Sequence, residues 1–308
     1  MKKEEFYYNS NCKTTKIRAV RYIPDGKISA ILQIAHGMNE YIDRYDDFAR
    51  FLCEKGILVT GNDHLGHGYS INSDDDLGYF CDDNGYGVVL KDIYELTCLT
   101  KKDYPNLPYF VLGHSMGSFF IRHYVCEYGN EISGAIIMGT AHYDLATLRL
   151  GLSTCELFAL GKGWRHRSRA VNAMSFGSYN KRINNPKTAK DWLTKDEKIV
   201  NKYVNDSKCN YIFTLNGFYN LFKEMMLLHD KNIISKTPKE LPLFFVAGEE
   251  DPVGNYTNGV NIAINSLRKV GCKNIDMKYY PTDRHEILNE LDRNDVYKDM
   301  YEWIIKTA

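Results

Sequence analysis

Hydrophobic and polar positions along this chain fall into two alternating kinds of block. SAILQIAHG (29–37), ILVTGND (57–63), PYFVLGH (108–114) and SGAIIMGT (133–140) are short, almost continuously apolar runs. Between them lie segments of helical period: YDDFARFLCEKG (45–56), with Phe48, Phe51 and Leu52 on one face, then 86–102, then Met116 to Tyr128. Continuous apolar strands separated by helices predict a parallel sheet covered on both faces, so the fold class is α/β.

From about 144 to 236 this rhythm is lost. The stretch is helical in composition, carries the polar segment DWLTKDEKIVNKYVND (191–206) and shows no strand pattern. Strand-like runs resume at LPLFFVAG (241–248) and NIDMKYY (274–280), and DVYKDMYEWIIKT (295–307) closes the chain as a helix. The expected organisation is an α/β core made of residues 1–143 and 237–308, interrupted by a helical insertion over 144–236.

Composition narrows the function. Lys plus Arg number 39 and Asp plus Glu 39, so no basic excess exists to hold a nucleic-acid backbone. No run reaches the roughly 18 apolar residues of a membrane span, and the start, MKKEEFYYNS, has no apolar stretch behind its charges. The eight Cys are scattered, with no CxxC and no Cys/His pair at zinc spacing. Reduced core thiols in a cytoplasmic protein are the expectation.

The most informative residues are Gly113-His114-Ser115-Met116-Gly117. They match G-x-S-x-G and sit between a strand and a helix, where a sharp turn exposes the serine at the helix N-terminus. The pattern alone is weak; its position is what gives it weight. A serine nucleophile needs a base, and the base an orienting carboxylate, in the chain order Ser, acid, His. Asp251 follows the strand LPLFFVAG and His285 follows NIDMKYY, both at carboxyl ends of strands. Glu249 and Glu250 are rival acids, and His229, in KEMMLLHD, is a poor rival base. For an oxyanion, the expected donors are the backbone N–H groups of Met116 and of Met38, with Gly37 letting the Met38 backbone turn toward the site.

HGMNEYIDRY, NDHLGHGYS and GHSMGS, in this order and spacing, resemble the monoglyceride lipase and lysophospholipase group of α/β hydrolases. The likeness continues through FGSYNKRI, DWLTKDEKIVNKYVND and GEEDPVG and covers nearly the whole chain. It implies the α/β-hydrolase fold, with Ser115 as nucleophile, Asp251 as acid, His285 as base, Met38 and Met116 as the oxyanion hole, and the insertion as a cap. The implied substrate is a small monoacyl lipid or ester, with no cofactor. A short-chain esterase, thioesterase or aminopeptidase on the same scaffold is the alternative, and a non-catalytic binding protein a more distant one. Ser118 departs from the family's usual GHSMGG.

Two further segments carry charge or ligand-like residues. Asp63, His64 and His67 lie close in sequence, but without another ligand cluster they read as a structural loop near the rim of the site and not as a metal centre. Residues 145–182 hold seven basic residues against one acid, Glu156, whereas 65–90 hold five Asp and no Lys or Arg. Solvated surface is the default for such runs. The sharper expectation is that GKGWRHRSR (161–169) lets the cap touch an anionic lipid surface or a phosphate head group.

Overall fold

A computed structural model describes residues 1–308. Its eight-stranded sheet runs in the order β1-β2-β4-β3-β5-β6-β7-β8, with β1 (Lys2–Asn9), β2 (Lys16–Ile23), β3 (Ala30–Ala35) and β4 (Ile57–Asn62) followed by β5 (Tyr109–His114), β6 (Gly134–Met138), β7 (Leu243–Gly248) and β8 (Ile275–Tyr280). β1, β2 and β4 pair antiparallel, and every pairing from β4 through β3 to β8 is parallel. This is the α/β-hydrolase arrangement expected from the sequence.

β3 to β7 are buried at every position, which is why their sequences lack a polar alternation. One face packs against α1 (Asp46–Glu54) and α10 (Arg293–Thr307), through Phe48, Leu52, Val296 and Trp303. The other face packs against α2 (Gly85–Asp103), α3 (Met116–Tyr128) and α9 (Asn258–Lys269), through Val89, Ile93, Phe120 and Ile264. Two apolar layers therefore hold the sheet rigid from both sides.

The structure adds two strands that the hydrophobic pattern does not predict. β1 alternates between exposed and half-buried positions and never becomes fully buried. β2 is buried but carries Arg18 and Arg21 inside. Arg18 is neutralised by Glu5, Asp43 and Asp63, at 2.8, 2.9 and 3.3 Å, and Arg21 pairs with Asp103 at 2.5 Å. Asp43, Asp63 and Asp103 come from distant segments, so the strand looks polar until the chain has folded.

Between β6 and β7 the chain forms five helices and no strand: α4 (Leu145–Lys162), α5 (Arg169–Phe176), α6 (Glu197–Asn205), α7 (Leu215–Leu227) and α8 (Lys231–Ile234). α4 lies along α7, and α7 also reaches α2 and α3. Asp144, Ser168, Asp196, Thr214 and Asp230 cap the five N-termini with side-chain acceptors, which explains where each helix starts. No helix is long and apolar enough to cross a membrane. All eight Cys are free thiols.

Candidate active site

Ser115 sits between the end of β5 and the first turn of α3 with φ 52° and ψ −117°. A non-glycine residue held there stores about 1–3 kcal/mol of strain, which the surrounding structure must impose. Its N–H donates to the Met138 carbonyl at 3.0 Å, tying the turn to β6. The two flanking glycines are needed for room. A Cβ at Gly113 would strike the Gly117 carbonyl, and one at Gly117 would strike the Ala35 carbonyl of β3. Ser118 uses its extra hydroxyl locally, donating to the Ser115 carbonyl at 2.6 Å.

Asp251 and His285 come together from the ends of β7 and β8. Asp251 Oδ2 lies 2.9 Å from His285 Nδ1, and both side chains are almost fully buried. The other carboxylate oxygen, Oδ1, accepts the Val253 N–H at 2.8 Å, which fixes the carboxylate plane. With Nδ1 engaged, Nε2 is the ring nitrogen left for a proton on the cavity side. The rival acids Glu249 and Glu250 are exposed. His229 is turned elsewhere, its Nε2 2.9 Å from the Tyr143 carbonyl and its ring 4.4 Å from that of His142.

A second buried network stands behind this pair. The His114 ring is 4.7 Å from that of His285, and its Nδ1 lies 2.9 Å from Glu40 Oε1. Tyr45 Oη donates to the same Glu40 oxygen at 2.9 Å. Arg44 then bridges Glu40 to Glu286, the residue after His285, with bonds of 2.8 Å to Glu40 and 2.8 and 2.7 Å to Glu286. Burial alone pushes the Glu40 carboxyl up, but the His114 bond and the neighbouring positive charges outweigh it and hold it below its ordinary value. Burial likewise pushes His114 down, and the Glu40 carboxylate more than reverses this.

The loop after β3 brings Met38 next to the elbow. Gly37 is required there for space and not for a special turn: a Cβ on it would come within 2.6 Å of Glu40 Oε1 and 3.1 Å of the Ser115 Cβ. Met116 is the first residue of α3, so its N–H is one of the amides a helix leaves unpaired. Below this loop, His36 accepts the His64 N–H at 2.9 Å on Nε2, and the two rings lie 4.1 Å apart. His64 and His67 are fully buried, deeper than a place at the rim, and burial holds both in the neutral form, His67 down at about 3. They brace the loop after β3 from beneath.

Ser115, Met38, Met116 and His285 all line one cavity of about 1140 Å³ of empty space, partly open to solvent. Leu148, Leu221, Phe222 and Met225, from α4 and α7, give it an apolar wall.

A sequence family described as serine aminopeptidase, S33, matches residues 26–292. The chain belongs to this family. A monoglyceride lipase homolog of monkeypox virus is 26% identical over 279 residues, covering 89% of each protein. The monoacylglycerol lipase of Mycolicibacterium smegmatis is 26% identical over 294 residues, covering 92% of this chain and 91% of its own. Among solved structures, a thermostable carboxyl esterase from Bacillus coagulans superposes with a TM-score of 0.91 at 31% identity, covering 100% of this chain and 99% of its own.

Within this S33 chain the charged runs meet each other. Arg165 pairs with Asp76 at 2.8 Å and stacks over Tyr79, while Arg167 donates to the Ile212 and Asp75 carbonyls at 2.6 and 3.2 Å. Part of the basic segment is thus engaged by the acidic one. The residues that sequence reasoning missed are Trp192 and Lys190, which line the cavity from the polar stretch before α6, together with Glu40 and Glu286. Glu40 had a visible signal in HGMNE; the others had none, because no local period reveals which way their segment faces.

Proposed function

We propose that this S33-family chain is a serine hydrolase that cleaves the carboxylic ester of monoacyl lipids, with Ser115 as nucleophile, His285 as base and Asp251 as its orienting acid. In this reading residues 144–236 form a cap over a core of 1–143 and 237–308. His285 Nε2 takes the Ser115 proton as Oγ attacks the ester carbonyl. The N–H groups of Met38 and Met116 hold the oxyanion. The imidazolium then returns the proton to the leaving alcohol, and a water activated by His285 releases the fatty acid and frees Ser115. Asp251 keeps the proton-accepting nitrogen turned to the cavity and stabilises the imidazolium.

The observation that carries this reading is the apolar cavity, in which 17 of 28 lining residues are hydrophobic, opening on the Ser115 elbow beside the Asp251–His285 pair. The lipid-cleaving names of the viral and mycobacterial relatives agree with it. The eight free thiols suit a reducing cytoplasm. Leu150, Leu157, Leu160 and Met174 are exposed on α4 and α5 and would serve a transient contact of the cap with a lipid surface.

The test is fatty-acid release from 1-monoacylglycerols of rising chain length, with Ser115→Ala as the blank. Each methylene buried in the cavity should add about 0.8 kcal/mol to transition-state binding until the cavity is full. A flat chain-length profile, or faster cleavage of aminoacyl amides, would replace the lipid substrate with the short-chain esterase or aminopeptidase alternative.

A further inference from the structure

Besides three tyrosines, five titratable side chains line the cavity: Glu40, His114, Lys190, His285 and Glu286. The two carboxylates have their hydrogen-bonding capacity committed. Glu40 receives His114, Tyr45, Arg44 and the Gly37 N–H; Glu286 receives Arg44 twice and Asn289. His114 and His285 are held through Nδ1 by Glu40 and Asp251, and the buried His114 Nε2 has no partner. Lys190 has no carboxylate of its own. Its ammonium makes no hydrogen bond or ion pair, and stands instead over three aromatic rings, Tyr203 at 5.4 Å, Phe176 at 5.6 Å and Trp192 at 5.9 Å.

These rings locate the lysine in the site. Trp192 lies 5.2 Å from the His285 ring, and Tyr203 faces Arg44 at 4.9 Å. Lys190 is thus joined through Trp192 to the His285 side of the cavity, while Phe176, 6.2 Å from Phe218, borders α7. A cation walled by aromatic faces has lost part of its hydration, and three ammonium donors remain unused. Burial pushes its pKa down, with the Glu286 carboxylate and then Cys209 working against that.

We propose that Lys190 is a specificity-determining residue, donating to an anionic oxygen of the leaving head group, so that the cavity favours monoacyl glycerols bearing a phosphate over neutral ones. This rests on the reading of the site as a monoacyl-lipid ester hydrolase. A neutral glycerol head offers hydroxyls with no charge for the ammonium to meet, and the Glu40 and Glu286 carboxylates that could take their protons are already engaged by Arg44, His114, Tyr45 and Asn289. A phosphate brings acceptors alone, and the unused donors of Lys190 meet it with charge-assisted bonds.

Binding can be read without turnover by using two non-hydrolysable ethers, 1-O-octylglycerol 3-phosphate and 1-O-octylglycerol. Calorimetry on the full chain should give tighter binding of the phosphate ether. In Lys190→Met the ratio of the two affinities should fall at least about tenfold, a change of about 1.4 kcal/mol. Lys190→Arg, which keeps the charge, should retain most of the ratio, and matched thermal midpoints would show that both variants fold. An unchanged ratio in Lys190→Met overturns the proposal. Displacement of the phosphate ether by millimolar inorganic phosphate alone also overturns it, because the site would then hold the free ion and not a lipid head group. Turnover of the matched octanoyl esters is read separately: its absence would refute the hydrolase reading while leaving the affinity ratio to judge Lys190.

Discussion

Trp192 stands 5.2 Å from His285, ring centroid to ring centroid, and its carbonyl accepts the His285 N–H at 3.4 Å. The next residue repeats the contact, with the Leu193 carbonyl accepting the Glu286 N–H at 2.7 Å. A two-residue strip of the segment between β6 and β7 thus clamps the loop that carries the proposed base. Because a small displacement of a reacting group costs much of its rate, Trp192→Ala should lower kcat about ten- to a hundredfold. KM should move far less, and Trp192→Phe should recover most of the loss. Steady-state kinetics with one monoacylglycerol would check this; a change confined to KM would make Trp192 a wall of the substrate pocket only.

The proposed chemistry makes a sharper demand on Ser115 and Asp251. Ser115→Ala should remove turnover by a factor on the order of 10⁴ to 10⁶ and abolish covalent labelling by an organophosphonate. Asp251→Asn keeps the shape but offers the imidazole the wrong partner, and should cost a factor on the order of 10⁴. Intact-mass measurement after phosphonate treatment separates the two: the Asp251 variant should still label, slowly, while the Ser115 variant should not label at all.

How much of this could be read in advance follows from where each signal lies. β3 to β7 were legible because burial on both faces leaves uninterrupted apolar runs, and Ser115 because its glycines fall between such a run and a helix. β1 and β2 were not, since Arg18 and Arg21 enter the interior only with Asp63 and Asp103, which are distant in sequence. The Glu40–Arg44–Glu286 bridge joins residues more than two hundred positions apart. Trp192 and Lys190 sit in a polar stretch whose direction is set by the path of the chain and not by a period.

The elbow glycines give a prediction about stability. Gly117→Ala places a methyl against the Ala35 carbonyl, and a backbone atom in the central sheet cannot rotate away. The variant should lose about 3 kcal/mol or more, or fail to fold. Ser118→Gly, by contrast, removes one hydrogen bond to the Ser115 carbonyl and should cost only about 1 kcal/mol. Chemical denaturation of both variants would rank them, and the reverse order would mean that the elbow is held by the hydroxyl and not by close packing.

The buried Glu40–His114 pair gives a pH dependence with a definite sign. Burial opposes both charges, but the pairing outweighs it, lowering Glu40 from its ordinary 4.5 and raising His114 from its ordinary 6.5. The Glu40 contribution to stability is present above pH 4.5 and is lost as pH falls toward the lower folded value. The His114 contribution is complete below pH 6.5 and is lost as pH rises through the higher folded value. The pair should therefore stabilise the fold most between pH 4.5 and 6.5. Glu40→Gln leaves Arg44 and His114 facing a neutral amide, and breaking a buried pair costs about 3 kcal/mol or more. Thermal midpoints of the native protein and Glu40→Gln, compared from pH 4 to 9, should differ most inside that window and less on its alkaline side, where the share held by Arg44 and Tyr45 remains. A difference that stays constant up to pH 9 would mean that His114 carries no proton in the folded state, and that Glu40 is held by Arg44 and Tyr45 alone.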